Sequence, residues 1–143
     1  MTKNKKLNVC TVTVYLFFLV LAIVLFPNDD PLAWILIFEN GLIGILLPFI
    51  LSVINATVKG LKASVIILPL AFGSGSLICS FSTWTIMAFK QSGVVKDLLN
   101  VKWDYFLLGF VSGLVGLAIG LAILGLKKLI KNNKAKKIES AEN

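Results

Sequence analysis

The chain reads as an all-α integral membrane protein with four transmembrane helices, and three observations carry that reading. Four apolar runs, at residues 9–26, 32–54, 63–89 and 105–126, are each about 18 to 27 residues long, enough to cross a hydrocarbon core of ~30 Å. All fourteen basic residues are lysines, and eleven of them (Lys3, Lys5, Lys6, Lys59, Lys62, Lys127, Lys128, Lys131, Lys134, Lys136 and Lys137) fall on one side of a four-span path. Only Lys90, Lys96 and Lys102 fall on the other. The positive-inside bias then predicts an N-in/C-in protein of the cell membrane with both termini cytoplasmic. Third, 57% of the residues are hydrophobic and no polar stretch exceeds about 20 residues, which leaves room for one membrane domain. That domain occupies residues 1–126, and residues 127–143 form a Lys-rich cytoplasmic tail.

The first run follows a Lys-rich head, as in a signal peptide. It is longer than such a segment and ends in Phe26-Pro27-Asn28-Asp29-Asp30 without a small-x-small cleavage site, so it reads as an uncleaved span. Tyr15, Leu16, Phe17, Phe18 and Leu19 make it bulky all round, which predicts the helix most exposed to lipid. The second run begins after Pro31, a suitable first-turn residue. At α-helical spacing Gly41, Gly44, Pro48, Ser52 and Asn55 share one face, and Pro48 predicts a kink.

The third run is the longest, about 40 Å as a continuous helix. Its middle, Pro69-Leu70-Ala71-Phe72-Gly73-Ser74-Gly75-Ser76, predicts a tilt, a kink or an unwound stretch at residues 73–76. Gly73, Ser76, Ser80 and Thr83 form a small polar stripe. The fourth run carries Gly109, Gly113, Gly116 and Gly120, a glycine seam about three turns long. Lipid offers no hydrophobic drive between helices, so such small residues promote association by close backbone contact. Gly41-Leu42-Ile43-Gly44 also resembles Gly113-Leu114-Val115-Gly116, a hint of a duplicated hairpin. Between the last two runs, Val95, Leu98, Leu99 and Trp103 recur at helical spacing, predicting a short amphipathic helix within the outer loop 90–104.

Several function classes are excluded or disfavoured. The net charge of +7 is accounted for by topology, so no nucleic-acid partner is implied. There is no His, the commonest general base and metal ligand, and no Arg to clamp phosphate. Cys10 and Cys79 match no metal spacing and belong to opposite halves of the membrane, too far apart for a disulfide. No metal, no cofactor and no catalytic residue is predicted, and the chain does not read as an enzyme.

Glu39 is the one ionisable residue well inside a span, about 12 Å along the helix from Pro31. An isolated charge at that depth is costly, and an intramembrane carboxyl marks a functional site by default. Ser76, Ser80 and Thr83 complete the candidate ion or substrate site. The helical phase sets Glu39 about 160° from Gly41 at 100° per residue. Either the second helix is buried on both sides, or Glu39 faces a second protomer or partner, or Asn40-Gly41 breaks the helix and leaves Glu39 near water.

Three functions follow. The first is a non-catalytic, self-associating or accessory subunit of a membrane complex, packed through Gly41, Gly44, Gly109, Gly113, Gly116 and Gly120 into a homo-oligomer or onto a larger membrane-protein partner. The second is a transporter or channel component with Glu39 as a protonatable in-membrane site. The third is a lysis or immunity protein. Besides the lipid bilayer itself, anionic lipid is a partner for the lysines of residues 127–137, at ~1 kcal/mol each near the surface.

Overall fold

A computed structural model describes residues 3–26, 31–91 and 103–139. The described segments are helices joined by short turns, without strands. Helix α1 is Lys3–Val24. Helix α2 is a continuous rod in three parts, α-wound over Pro31–Trp34, π-wound over Ile35–Leu46 and α-wound again over Leu47–Lys59. Helix α3 comprises Ala63–Ile66 and Leu68–Gln91, joined through Ile67. Helix α4 is a single helix of 36 residues, Asp104–Glu139. Four stretches among them are long and apolar enough to cross a membrane: Lys5–Val24, Ile35–Lys59, Ala63–Met87 and Asp104–Lys134. The α1 stretch is the least buried of the four, as its uniformly bulky sequence suggests.

Contacts between helices give their directions. Asn55 Nδ2 donates to Thr11 Oγ1 at 2.7 Å, and Trp34 Nε1 donates to the Ala22 carbonyl at 3.3 Å, so α1 and α2 are antiparallel. Along α2 and α4 the neighbours rise together: Gly44 with Leu108, Ile45 with Ser112, Ser52 with Gly116, Ala56 with Gly120 and Gly60 with Leu124. These two helices are therefore parallel. Pro69 meets Gly113, Phe72 meets Gly109 and Gly73 meets Phe106, which makes α3 antiparallel to α4. The result is an up-down-up-down bundle in which the starts of α1 and α3 and the ends of α2 and α4 share one end, marked by Lys59. Trp34 and Glu39 lie towards the opposite end.

The glycine seam of α4 is consumed inside this bundle. A Cβ at Gly116 would stand 2.4 Å from the Phe49 carbonyl oxygen, and one at Gly120 2.7 Å from that of Val53. On the α3 side, a Cβ at Gly109 would stand 2.7 Å from the Phe72 carbonyl oxygen, and one at Gly113 3.0 Å from Pro69 Cα. The seam thus wedges α4 between α2 and α3, backbone against backbone, the arrangement that small residues permit in lipid. Tyr15, Leu19 and Ala22 of α1 close the core against Ile43, Leu47, Leu51, Leu68, Phe72 and Cys79. The Tyr15 ring meets Phe72 edge-on at 4.8 Å.

The structure adds detail at three places that the sequence singles out. Residues 73–76 are regular helix, not unwound. Their glycines serve close approach instead, for Cβ atoms would stand 2.9 Å from the Phe106 ring at Gly73 and 2.5 Å from the Tyr15 ring at Gly75. The irregularity lies at Ile67, ahead of Pro69, whose missing N–H interrupts the ladder there. The tail also begins without a structural break at residue 126. Helix α4 runs on past it, with Gly125 in open space and residues 125–134 all exposed. Lastly, the two halves of the suggested repeat are wound differently, because Ile35–Leu46 is not α-helical while Asp104–Glu139 is. The amphipathic helix expected at 90–104 lies almost wholly outside the described residues.

Candidate functional site

The segment Ile35–Leu46, of sequence ILIFENGLIGIL, carries hydrogen bonds that close five residues apart, and at its end Leu47 N–H bonds to the Leu42 carbonyl. Such π-winding is rare, normally a single turn, and clusters at functional sites. Here it extends for twelve residues. Of the two glycines in this segment, Gly44 is the crowded one, for a Cβ there would stand 2.6 Å from Leu108 Cδ2 and 3.3 Å from the Glu39 carbonyl oxygen, whereas one at Gly41 would make only ordinary contact, 3.5 Å from the Leu36 carbonyl oxygen. Pro48, which donates no hydrogen bond, marks the return to α-winding.

The winding decides where Glu39 points. A wider ring turns each residue through a smaller angle, so residues four apart stay nearly aligned where in an α-helix each such step drifts by about 40°. Ile35, Glu39, Ile43 and Gly44 consequently form one buried line that continues into Leu47, Pro48, Leu51, Ser52, Asn55, Ala56 and Lys59. Leu36 and Ile37 face outward at 65% and 72% exposure, while Glu39 is 4% exposed. Glu39 therefore points into the bundle of its own chain, without a helix break. Gly41 stands aside from the packing, since only a carbonyl of its own helix approaches it.

Neither carboxyl oxygen of Glu39 has a hydrogen-bond partner. Thr83 of α3 lies beside the carboxyl group, but its Oγ1 bonds to carbonyls of its own helix, Ser80 O at 2.9 Å and Cys79 O at 3.3 Å. A hydroxyl has one proton, so Thr83 can donate either to these carbonyls or, by rotating, to the Glu39 carboxyl group. Cys79 is the other ionisable group close enough to interact with it. Ser80 is buried on the same face of α3. Ser76 is buried too, but it belongs to another cluster, 3.4 Å from the Tyr15 hydroxyl, which itself donates to the Phe72 carbonyl at 2.9 Å. The structure thus joins Glu39 to Thr83 and Cys79, keeps Ser80 adjacent along the helix and assigns Ser76 to Tyr15.

A second buried polar cluster, absent from the sequence reading, closes the opposite end. Lys59 Nζ donates to the side-chain oxygens of Asn8 and Asn55, and the Asn55 amide donates to Thr11 and to the Leu51 carbonyl. It pins α1 to the end of α2. Its signal was present as polar residues facing one another late in one apolar run and early in another, but Lys59 had been accounted for by topology alone.

Chemically, the Glu39 region offers one carboxyl enclosed on all sides. It is suited to binding and releasing a proton or to holding a small cation. Among the described residues no group of three His, Cys, Asp or Glu is placed to hold a metal ion. No family model, no curated protein and no solved structure matches the chain.

Proposed function

We propose that this chain is a transporter or channel component of the cell membrane that works through Glu39 as a protonatable in-membrane site. The observation that carries the reading is a carboxyl group almost completely buried among apolar helices with both oxygens unpartnered. An orphaned polar group of this kind is costly to keep, and ionisable residues inside spans mark ion pathways and proton relays. The lysine distribution supports cytoplasmic termini, with Glu39 in the outer half of the membrane and the lysines of residues 127–137 available to anionic lipid. Orientation is tested by placing a cysteine at Lys134 in a Cys10→Ser background. An impermeant thiol reagent is expected to reach it in inverted vesicles but not in intact cells, and the reverse pattern refutes the orientation.

The functional test is flux in proteoliposomes. Wild-type protein is expected to dissipate an imposed pH gradient or to couple it to solute movement, and Glu39→Gln to abolish this. Equal flux from the two proteins overturns the proposal.

A second reading, as a self-associating or accessory subunit, is favoured by one observation. Ala118, Ala122 and Gly125 form an exposed small-residue line on α4, distinct from the seam already filled within the chain. If Gly125→Leu disperses an oligomer or releases a co-purifying membrane protein while Glu39→Gln changes nothing, this second reading holds.

A further inference from the structure

The cluster around Lys59 carries an unanswered charge. Lys59 is 7% exposed, and its ammonium donates to Asn8 and Asn55, two neutral side chains. Buried charges are ordinarily paired with an opposite charge. Here the neighbouring charge has the same sign, for Lys62 is close enough to repel Lys59, and Lys5 and Lys6 stand exposed in the turn of α1 before Asn8. The carboxyl-bearing residues among those described are remote. Glu39 and Asp104 lie towards the other end of the bundle. Glu139 is about 15 residues beyond Leu124, the residue level with Gly60, and so ~22 Å further along the axis of α4. The carbonyl end of α2 favours a cation at Lys59, but it amounts to roughly half an elementary charge against the two of Lys59 and Lys62.

The cluster also has donors to spare. An ammonium has three N–H groups, and Lys59 uses two of them within the chain. The Asn55 amide is engaged by Thr11 and the Leu51 carbonyl. Asn8 accepts through its side-chain oxygen, and its NH2 group has no acceptor among the described residues. Asn8 is half-buried, and Lys62 is exposed, so both lie at the rim of the cluster. Three of the spans begin or end here, Lys5–Val24, Ile35–Lys59 and Ala63–Met87. For spans of a bilayer core, that is the level of the phospholipid headgroups.

We propose that Lys59, Lys62 and Asn8 form a binding site for the phosphate of one anionic phospholipid, held where α1, α2 and α3 meet. The phosphate accepts from the third Lys59 N–H, from the Asn8 amide and from the Lys62 ammonium, and supplies the missing negative charge. Basic pockets between spans take lipid headgroups in this way. Lys5 and Lys6 repel the quaternary ammonium of a zwitterionic lipid, whereas a glycerol headgroup carries no such charge. The site is distinct from Lys127, Lys128, Lys131 and Lys134, which stand exposed on α4 and attract anionic lipid without fixed geometry. It goes beyond the reading of Glu39 and does not depend on it.

The test is native mass spectrometry of the full chain released from micelles containing phosphatidylglycerol or phosphatidylcholine with the same acyl chains. The wild type is expected to retain one phosphatidylglycerol molecule and to prefer it to phosphatidylcholine. Lys62→Gln and Lys59→Met are each expected to weaken that retention about tenfold or more, the loss of one hydrogen bond to a charged group. If circular dichroism shows that Lys59→Met does not fold, Lys62→Gln and Asn8→Ala decide. Joint replacement of Lys127, Lys128, Lys131 and Lys134 by glutamine is expected to leave the retained molecule in place. Equal retention of the two lipids, equal retention by the wild type and Lys62→Gln, or a loss confined to the tail variant overturns the site. Displacement of the lipid by inorganic phosphate overturns it too, since the cluster would then hold a free anion.

Discussion

Replacing Gly116 by alanine tests the central contact of the bundle with a single methyl group. The added Cβ would stand 2.4 Å from the Phe49 carbonyl oxygen and 3.0 Å from both Phe49 Cα and Ser52 Cβ. Ordinary contact begins near 3.4 Å, so α2 and α4 must part by about 1 Å at this level. Two of the three obstructing atoms are backbone, and no rotamer change relieves them. Overpacking of this kind costs ~1–3 kcal/mol. The substitution also gains helix propensity, ~0.8–1 kcal/mol for Gly to Ala, which would mask part of the loss. Gly125→Ala supplies the control, because Gly125 lies on the same helix with nothing within 4 Å and takes the same gain without a clash. The difference between the two variants is then the ~1–3 kcal/mol of overpacking, about a fivefold to hundredfold change in the unfolding equilibrium at 1.4 kcal/mol per factor of ten. Reversible unfolding in mixed micelles by titration with a denaturing detergent measures it directly. Indistinguishable midpoints for Gly116→Ala and Gly125→Ala would refute the backbone-to-backbone contact.

The same titration checks three further expectations. Glu39→Leu removes two unpartnered buried oxygens and is expected to stabilise the fold by ~1–3 kcal/mol while eliminating flux; a destabilised protein would mean that the carboxyl has a donor after all. Asn55→Leu strips Lys59 and Thr11 of a shared partner and is expected to cost ~1–3 kcal/mol, whereas Asn55→Asp, which keeps an acceptor for the ammonium, is expected to cost less. Tyr15→Phe loses the hydroxyl bond to the Phe72 carbonyl, for ~0.5–1.5 kcal/mol, with the ring contact to Phe72 retained. An unchanged midpoint would place that hydroxyl in water.

The number of spans was legible because membrane thickness translates directly into run length, and the α4 seam because a glycine every three or four residues has few uses in lipid other than close approach. The burial of Ser76, Ser80 and Thr83 followed from α-helical spacing alone, since α3 is α-wound across them. Glu39 was misdirected by the same arithmetic. An angle of 100° per residue is correct for Leu47–Lys59 but wrong for Ile35–Leu46, and no periodicity in ILIFENGLIGIL distinguishes the two windings. The pair Gly73 and Gly75 misled for another reason. Glycine permits both unwinding and close approach, and which applies depends on whether bulky partners such as Phe106 and Tyr15 arrive opposite, a fact of tertiary packing. The Asn8–Thr11–Asn55–Lys59 cluster required knowing that α1 and α2 run antiparallel at that register.

The parallel pairing of α2 with α4 has a consequence for how the chain is made. The surfaces that meet most intimately, at Phe49, Ser52, Val53 and Ala56 on one side and Gly116 and Gly120 on the other, are separated by the whole of α3 and leave the ribosome at well-separated times. Until the last span is inserted, the second has no mate, and its groove-forming face is filled by lipid chains. Completion of the bundle must therefore wait for the fourth span, which enters between two helices made before it.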